Sequence, residues 1–473
     1  MTSVKLGNYV PTNDKVEYLD LFVGVFFDGT KNNMNNSQER RANTPTYQRN
    51  GTDSDSSYQN DWSNVARLWD IYDKSHSIYL EGIGTEDRQK DSQMGYAFGT
   101  GSTGIRGKVR KACEKIFTDK LKVPIKSNGK KKLRSITFDV FGFSRGAAAA
   151  RNFVYEIGKN EYRSSTITDP HTGITSRFDS DGEATNLEVM PACGRLGEMF
   201  SAAGLKISPN QINVRFLGIF DTVSSYSKYF SVSPNFNDVK ELHLNQIGRA
   251  QNVVHFVAEN EHRKNFSLTH TNVGRERVFP GVHSDIGGSY ETDTEVVSEL
   301  ATSWTLKGNL DAFKAKLIEE AWYKENQLKV TGGNMYWALE GTRFIYKEYS
   351  YIPLQYMAEY SQNHNLPLAK SKTETKYTIN GNPLLLRVKA TLRDYVMGNG
   401  QPYTFKPLGD LDRKYAGAKI PQQKYADYQN EKQQQQDLRI LRNKYLHWSA
   451  DRKSSYGVVQ PMAPNADGNR VTY

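Results

Sequence analysis

The chain has 473 residues, enough for one large elaborated domain or two to three smaller ones with a sizeable buried core. Lys plus Arg total 62 against 52 Asp plus Glu, a formal charge of +10, which favours anionic partners if the excess is clustered. The longest apolar run near the start, residues 21–27, is far short of a bilayer span, so a helical integral membrane protein is excluded. The first ten residues show no basic segment followed by an apolar stretch, so synthesis in the cytoplasm without a signal peptide is expected, with any export by another route. Two cysteines, Cys113 and Cys193, are too few for a disulfide framework or a zinc cluster.

Residues 21–27 read as a buried strand that runs into the turn Asp28-Gly29-Thr30, followed by a polar segment over 31–61. Val65, Leu68, Trp69 and Tyr72 fall at helical spacing, and His76 to Leu80 supplies a second strand, closed by Gly82 and Gly84. Val109, Ala112, Cys113, Ile116, Phe117 and Leu121 share one face of the clearest helix, with Cys113 inert on that face. Residues 136–141 form a strand that meets Gly142 and then the run Ala147 to Ala150, which gives strand, sharp turn, helix. Residues 159–212 are a polar insertion, and 214–220 a further strand ending in Asp221-Thr222. Helical spacing returns over 250–258, where His255 reads as a satisfied helical histidine. Residues 277–282 lead into an irregular glycine-rich loop, His283 to Gly288. From Thr292 apolar residues recur at helical spacing, as over 352–360, and Gln422 to Gln436 begins a solvated helix docked through Leu438, Leu441 and Tyr445.

Alternating strands and helices predict an α/β fold, a mostly parallel sheet of the α/β-hydrolase kind with helices on both faces, plus an added largely helical region. The expected division is a catalytic domain over 1–300, with the insertion near 159–212, and an accessory region over 301–473 packed on it.

Gly142-Phe143-Ser144-Arg145-Gly146 fits Gly-x-Ser-x-Gly, weak alone but here set between a strand and an alanine-rich helix, where a tight turn presents the serine at the carboxyl edge of the sheet. The helix N-terminus there favours negative charge, and the Arg145 amide can face a developing oxyanion. A serine needs a base and the base an orienting acid. Asp221 and His283 both stand at strand ends, and the order Ser, Asp, His is that of α/β-hydrolases. Asp221 could instead be a helix cap, with Asp139 or Asp285 as the acid. The amides of Gly29 and Thr30 could complete the oxyanion hole, or Asp28 could simply bond its own backbone in a plain turn. Asp28 and Asp285 could hint at a hard cation, but carboxylates this common are usually structural; no metal or cofactor is expected.

Phe26-Phe27-Asp28-Gly29-Thr30, Glu81-Gly82-Ile83-Gly84-Thr85, Gly142 to Ala147 with Ala150-Arg151, Phe220-Asp221-Thr222-Val223 and Phe279 to Gly288 together resemble the first family of type VI secretion lipase effectors. The resemblance is strong over 20–300 and weak at 352–360 and 444–449. It implies a phospholipase of the A type with Ser144 as nucleophile, His283 as base and Asp221 as its partner. It further implies membrane glycerophospholipids as substrate, reached by peripheral contact from the periplasm of an injected bacterium. A secretion spike protein and a cognate immunity protein are the implied partners.

Two other functions compete: a carboxylesterase or neutral lipase not tied to secretion, and a non-enzymatic adaptor for acidic surfaces. The adaptor would use residues 106–134, whose twelve bases and two acids account for the whole excess charge. That segment covers the polar face of the 109–121 helix and a loop over 126–134; it either draws the protein to an anionic membrane or acidic partner, or is a solvated face. No nucleic-acid motif is present.

Overall fold

Residues 23, 25 and 27 of the first strand are apolar, as are its neighbours, because this strand lies inside a sheet covered on both sides. The computed structural model describes residues 16–92, 101–129, 131–224, 239–304, 307–333, 336–415, 422–453, 462–465 and 468–473; Lys130 of the basic segment and the first ten positions lie outside the described residues. Six strands, β1 (Tyr18–Phe27), β2 (Ser77–Leu80), β3 (Lys132–Phe143), β4 (Ile212–Phe220), β5 (Val253–Ala258) and β6 (Arg275–Phe279), form one all-parallel sheet in the order β6-β5-β4-β3-β1-β2. The chain reverses its direction of travel across the sheet between β1 and β3, and open α/β sheets bind ligands beyond the carboxyl ends of the strands at such a point.

The side-chain period of two divides the core. Val23, Val25, Phe27, Ile136, Phe138, Val140, Ile212, Val214, Leu217 and Ile219 pack under the helices Ile105–Lys115, Arg145–Glu156 and Gly194–Ala202. Phe26, Phe141, Phe143, Phe216 and Phe220 face the opposite layer, which includes Asn64–Ile71 and Tyr351–Asn363. The α/β fold with helices on both faces is therefore as the periodicity predicts.

Several features differ from the sequence reading. The polar 31–61 segment holds two helices: Met34–Arg41, which buries the polar Asn36 and Ser37 beside Met34, and Pro45–Asn50, which buries no residue. Asn33 caps the first by accepting from the amides of Asn35 and Asn36, and Asn36 Nδ2 donates to Ser57 Oγ at 3.0 Å. Residues 253–258 are strand β5, not helix: every residue is buried, and a short run buried on both faces carries no periodicity to separate strand from helix. His255 accordingly sits in a strand, with Nδ1 2.9 Å from Glu276 Oε2. His283 to Gly287 is a short helix rather than an irregular loop.

The 301–473 region is largely helical, with Tyr351–Asn363, Pro383–Met397 and Gln422–Lys444 its longest helices, but an antiparallel sheet introduces it. Its strands are β7 (Asp293–Ser303), β8 (Leu328–Gly333) and β9 (Tyr336–Ile345), ordered β7-β9-β8. A register slip between Val297 and Ala301 leaves the buried Val297 and Leu300 three apart, a spacing that imitates a helix.

Five of the twelve bases of the 106–134 segment pair with Glu81, Asp179, Glu17 and Asp20, acids from elsewhere. Lys108 is buried with Nζ 2.9 Å from Glu81 Oε1, which Lys111 also contacts. Arg110 pairs with Asp179, Lys131 with Glu17 and Arg134 with Asp20. The expected 126–134 loop is short, since helix persists to Ser127 and β3 begins at Lys132. Among the described residues no helix is long and apolar enough to cross a membrane.

Candidate active site

The five-residue motif makes a turn that only these residue types can make. β3 ends at Phe143 and the helix Arg145–Glu156 begins two residues later, with Ser144 between them at φ 59°, ψ −130°. A non-glycine residue on that side of the map costs roughly 1–3 kcal/mol and persists only where its surroundings enforce it. Here the Ser144 N–H donates to Phe220 O at 3.0 Å, and the Ser144 carbonyl accepts from the amides of Ala147 (3.0 Å) and Val223 (3.3 Å). Both glycines are sterically required. A Cβ at Gly142 would lie 2.5 Å from Gly146 O, and one at Gly146 would lie 2.2 Å from Asp28 O. The helix thus docks against the end of β1 and leaves Ser144 only 4% exposed at the carboxyl edge of the sheet.

Asp221 follows β4 at φ 41°, its N–H bonded to Phe256 O at 2.7 Å, so β4 and β5 jointly aim its side chain. Its Oδ2 lies 2.5 Å from His283 Nδ1, and its Oδ1 accepts from the Ala258 amide at 2.9 Å. With Nδ1 turned to the acid, Nε2 of His283 carries the lone pair a general base needs. The imidazole is wedged between Phe143, 4.6 Å away, and Phe266, 4.9 Å away in a T-shaped contact. Phe143 fits because Gly287 has no side chain: a Cβ there would fall 1.9 Å from the ring.

Electrostatics suit the same roles. Burial pushes the Asp221 carboxyl up, but the Arg470 guanidinium and the His283 bond outweigh it and hold the group well below the usual carboxylate range. Burial pushes the His283 pKa down, and the Asp221 contact offsets only part of that, so the imidazole is neutral at neutral pH. Asp285 faces elsewhere: it accepts from the amides of Val282 (2.9 Å) and His447 (3.0 Å) and lies 2.7 Å from His447 Nδ1. Asp139 is likewise engaged, by Tyr72 and Arg215. Of the three candidate acids, only Asp221 touches His283.

The β1 loop departs from expectation at one residue. The Gly29 N–H donates to Asp28 Oδ1 at 2.7 Å, so this amide is consumed within the turn and cannot also receive an oxyanion. Thr30 remains beside the elbow, its Oγ1 accepting from Arg145 Nε at 2.7 Å. The Asp28 carboxylate is occupied within the fold: Ser63 Oγ donates to Oδ1 and Tyr79 O–H to Oδ2, both at 2.5 Å.

Three supporting groups escaped the sequence. Arg470 forms a two-pronged ion pair with Asp221, at 2.8 Å to Oδ1 and 2.7 Å to Oδ2. Glu261, bound to Arg263 at 2.8 Å, accepts the His283 N–H at 3.2 Å. His447 holds Asp285, and a weak signal for it existed in the 444–449 motif. A cavity of about 300 Å³ opens beside Arg470, Glu261 and His447 and is walled by Phe313, Leu317, Trp322 and Trp448; it does not reach Ser144 or His283.

Comparison with known proteins gives the family and the fold. Residues 23–308 match the model of the "T6SS, Phospholipase effector Tle1-like, catalytic domain". Among solved structures, a Tle1 effector bound to the VgrG spike of the type 6 secretion system superposes with TM-score 0.58 at 20% identity, over 97% of this chain and 94% of that one. An uncharacterised protein from Pseudomonas aeruginosa aligns with TM-score 0.39 at 16% identity, over 90% of this chain and 60% of that one. No curated protein sequence matches the chain. The first solved structure shares the fold, and the family model spans more than half of the chain, from β1 through the His283 helix into β7: the protein belongs to the Tle1-like phospholipase effectors of type VI secretion and is a lipolytic hydrolase.

Proposed function

We infer that the protein is an antibacterial phospholipase of the A type that cleaves acyl esters of membrane glycerophospholipids by a serine mechanism. Ser144 Oγ attacks the acyl carbonyl while its proton passes to His283 Nε2, and Asp221 keeps the imidazole in the required tautomer. The amides of Arg145 and Thr30 receive the oxyanion. The carbonyl to alkoxy-oxygen bond then breaks, and His283 returns its proton to the departing lysophospholipid oxygen. Water, deprotonated by His283, attacks the acyl-enzyme and releases the fatty acid, which restores Ser144.

The observation that carries this reading is the 2.5 Å His283–Asp221 contact at the same sheet edge as a serine held at positive φ. Phe143 and Phe266 hold the His283 ring between them at that edge. Since the solved Tle1 effector is bound to a VgrG spike, we extend to this chain a spike protein as its carrier, with action in the periplasm of the recipient and a cognate immunity protein in the producer. Pairing of five of the twelve bases of 106–134 with Glu81, Asp179, Glu17 and Asp20 lessens the charge that an acidic-surface adaptor would use. Mass-spectrometric product analysis on phosphatidylethanolamine with distinct acyl chains tests the proposal. Wild type should release fatty acid and a lysophospholipid whose retained chain reports the ester cut, and Ser144→Ala should release neither; equal release by both proteins would overturn it.

A further inference from the structure

Asp221 has a partner that arrives from 249 residues away. The described residues 462–465 and 468–473 run alongside 262–270 and are tied to them by backbone hydrogen bonds. Lys264 N–H donates to Ala463 O (2.8 Å), Asn465 N–H to His262 O (3.0 Å), Leu268 N–H to Val471 O (2.9 Å), and Tyr473 N–H to Leu268 O (2.8 Å). This ladder carries Arg470, whose Nε donates to Phe266 O at 2.7 Å while Nη1 and Nη2 grip Oδ1 and Oδ2 of Asp221. The guanidinium is 7% exposed and the carboxylate fully buried. A planar fork matched to both oxygens fixes the plane of the carboxylate, which a single ammonium cannot do.

We propose that Arg470 is a positioning residue that locks the Asp221 carboxylate onto His283 and, by offsetting its charge, sets the basicity of that histidine. The proposal rests on the serine-hydrolase reading above. The charged groups facing His283 are Asp221 at Nδ1, Glu261 at the backbone N–H, and Arg263, which closes its own pair with Glu261 at 2.8 and 2.9 Å. Asp221 is faced by Arg470 and His283, with Arg263 and the neutral His255 of β5 nearby. Glu261 and Arg263 largely cancel, so Arg470 is the cation that divides the pull of Asp221 on the imidazolium. Without it the whole carboxylate charge stabilises protonated His283, and the base is protonated at a higher pH.

The test is kcat/KM against pH on p-nitrophenyl butyrate, for full-length wild type, Arg470→Gln, Arg470→Lys and a chain ended after Asn469, each checked for fold by circular dichroism. In Arg470→Gln and in the shortened chain the acid limb should move up by roughly one pH unit, with kcat down at least tenfold. Arg470→Lys keeps the cation, so its limb should stay near that of wild type, but kcat should fall several-fold at unchanged KM. A limb that stays in place in the folded Gln or shortened protein overturns the proposal, since a merely structural contact lowers the rate equally at all pH. Where those two do not fold, wild-type kcat in Arg470→Lys overturns it. Ser144→Ala in parallel separates the two claims: residual hydrolysis there refutes the serine mechanism, whereas its loss alongside an unmoved limb refutes only the role of Arg470.

Discussion

Asp28 offers a quantitative test of how the turn after β1 is held. Its carboxylate is buried and receives three donors, the Gly29 amide, Ser63 Oγ and Tyr79 O–H, yet burial wins and pushes its pKa up from 3.8 to about 6. For a carboxyl raised in the folded state, the native protein binds its proton more tightly than the unfolded chain does. The contribution is therefore fully present below pH 3.8 and is lost as pH rises through 6. A shift of about two units corresponds to about 3 kcal/mol of stability lost between pH 4 and pH 7.5. Asp28→Asn removes the titration and keeps the acceptor for Gly29 and Ser63. It leaves the Tyr79 hydroxyl without its acceptor, a pH-independent cost of about 1 kcal/mol. Urea unfolding of both proteins at five pH values isolates the group, because every other titration is common to the two. The stability of the variant relative to wild type should climb by about 3 kcal/mol across that range. A flat or falling difference would refute the assignment of Asp28 as a carboxyl strained by burial.

Two further outcomes follow from contacts at the elbow and the acid. Gly146→Ala forces a methyl to within 2.2 Å of a backbone oxygen that cannot step aside, so urea unfolding should show a loss of about 1–3 kcal/mol together with lower esterase activity; wild-type values in both would contradict the packing account. Asp221→Asn turns an amide toward His283 Nδ1 and selects the wrong tautomer, so kcat should drop by roughly 10³–10⁴ with circular dichroism unchanged; a loss under tenfold would contradict the acid's assignment.

What could be read from sequence was what local rules enforce. Gly142 and Gly146 are close-approach positions, Ser144 sits between them, and the flanking strand and alanine helix announce the turn, so the elbow was legible. β1, β3 and β4 were legible because each ends a β-branched or aromatic run at an acid or a glycine. β5 was misread because Val253 to Ala258 is buried on both faces, and β7 because its register slip turns a period of two into a period of three. The helices of 31–61 gave no signal because the first is buried through the hydrogen-bonded Asn36 and Ser37 behind its cap Asn33, outside any hydrophobic pattern, and the second buries nothing. Arg470 was invisible for a different reason: its partner is chosen by tertiary pairing of 462–473 with 262–270, and nothing in its own neighbourhood marks it. The partners of five of the twelve bases of residues 106–134 were invisible in the same way, since those acids stand at 17, 20, 81 and 179.

The central claim is that Ser144 is the nucleophile and His283 its base. A fluorophosphonate probe reacts with serines only when an adjacent base activates them, so labelling followed by intact-mass and peptide mass spectrometry addresses it most directly. One adduct per chain should form, map to Ser144 and disappear in Ser144→Ala, with the labelling rate of His283→Ala reduced at least a hundredfold. An adduct on another serine, or a phospholipase-active protein that takes up no probe, would contradict the account.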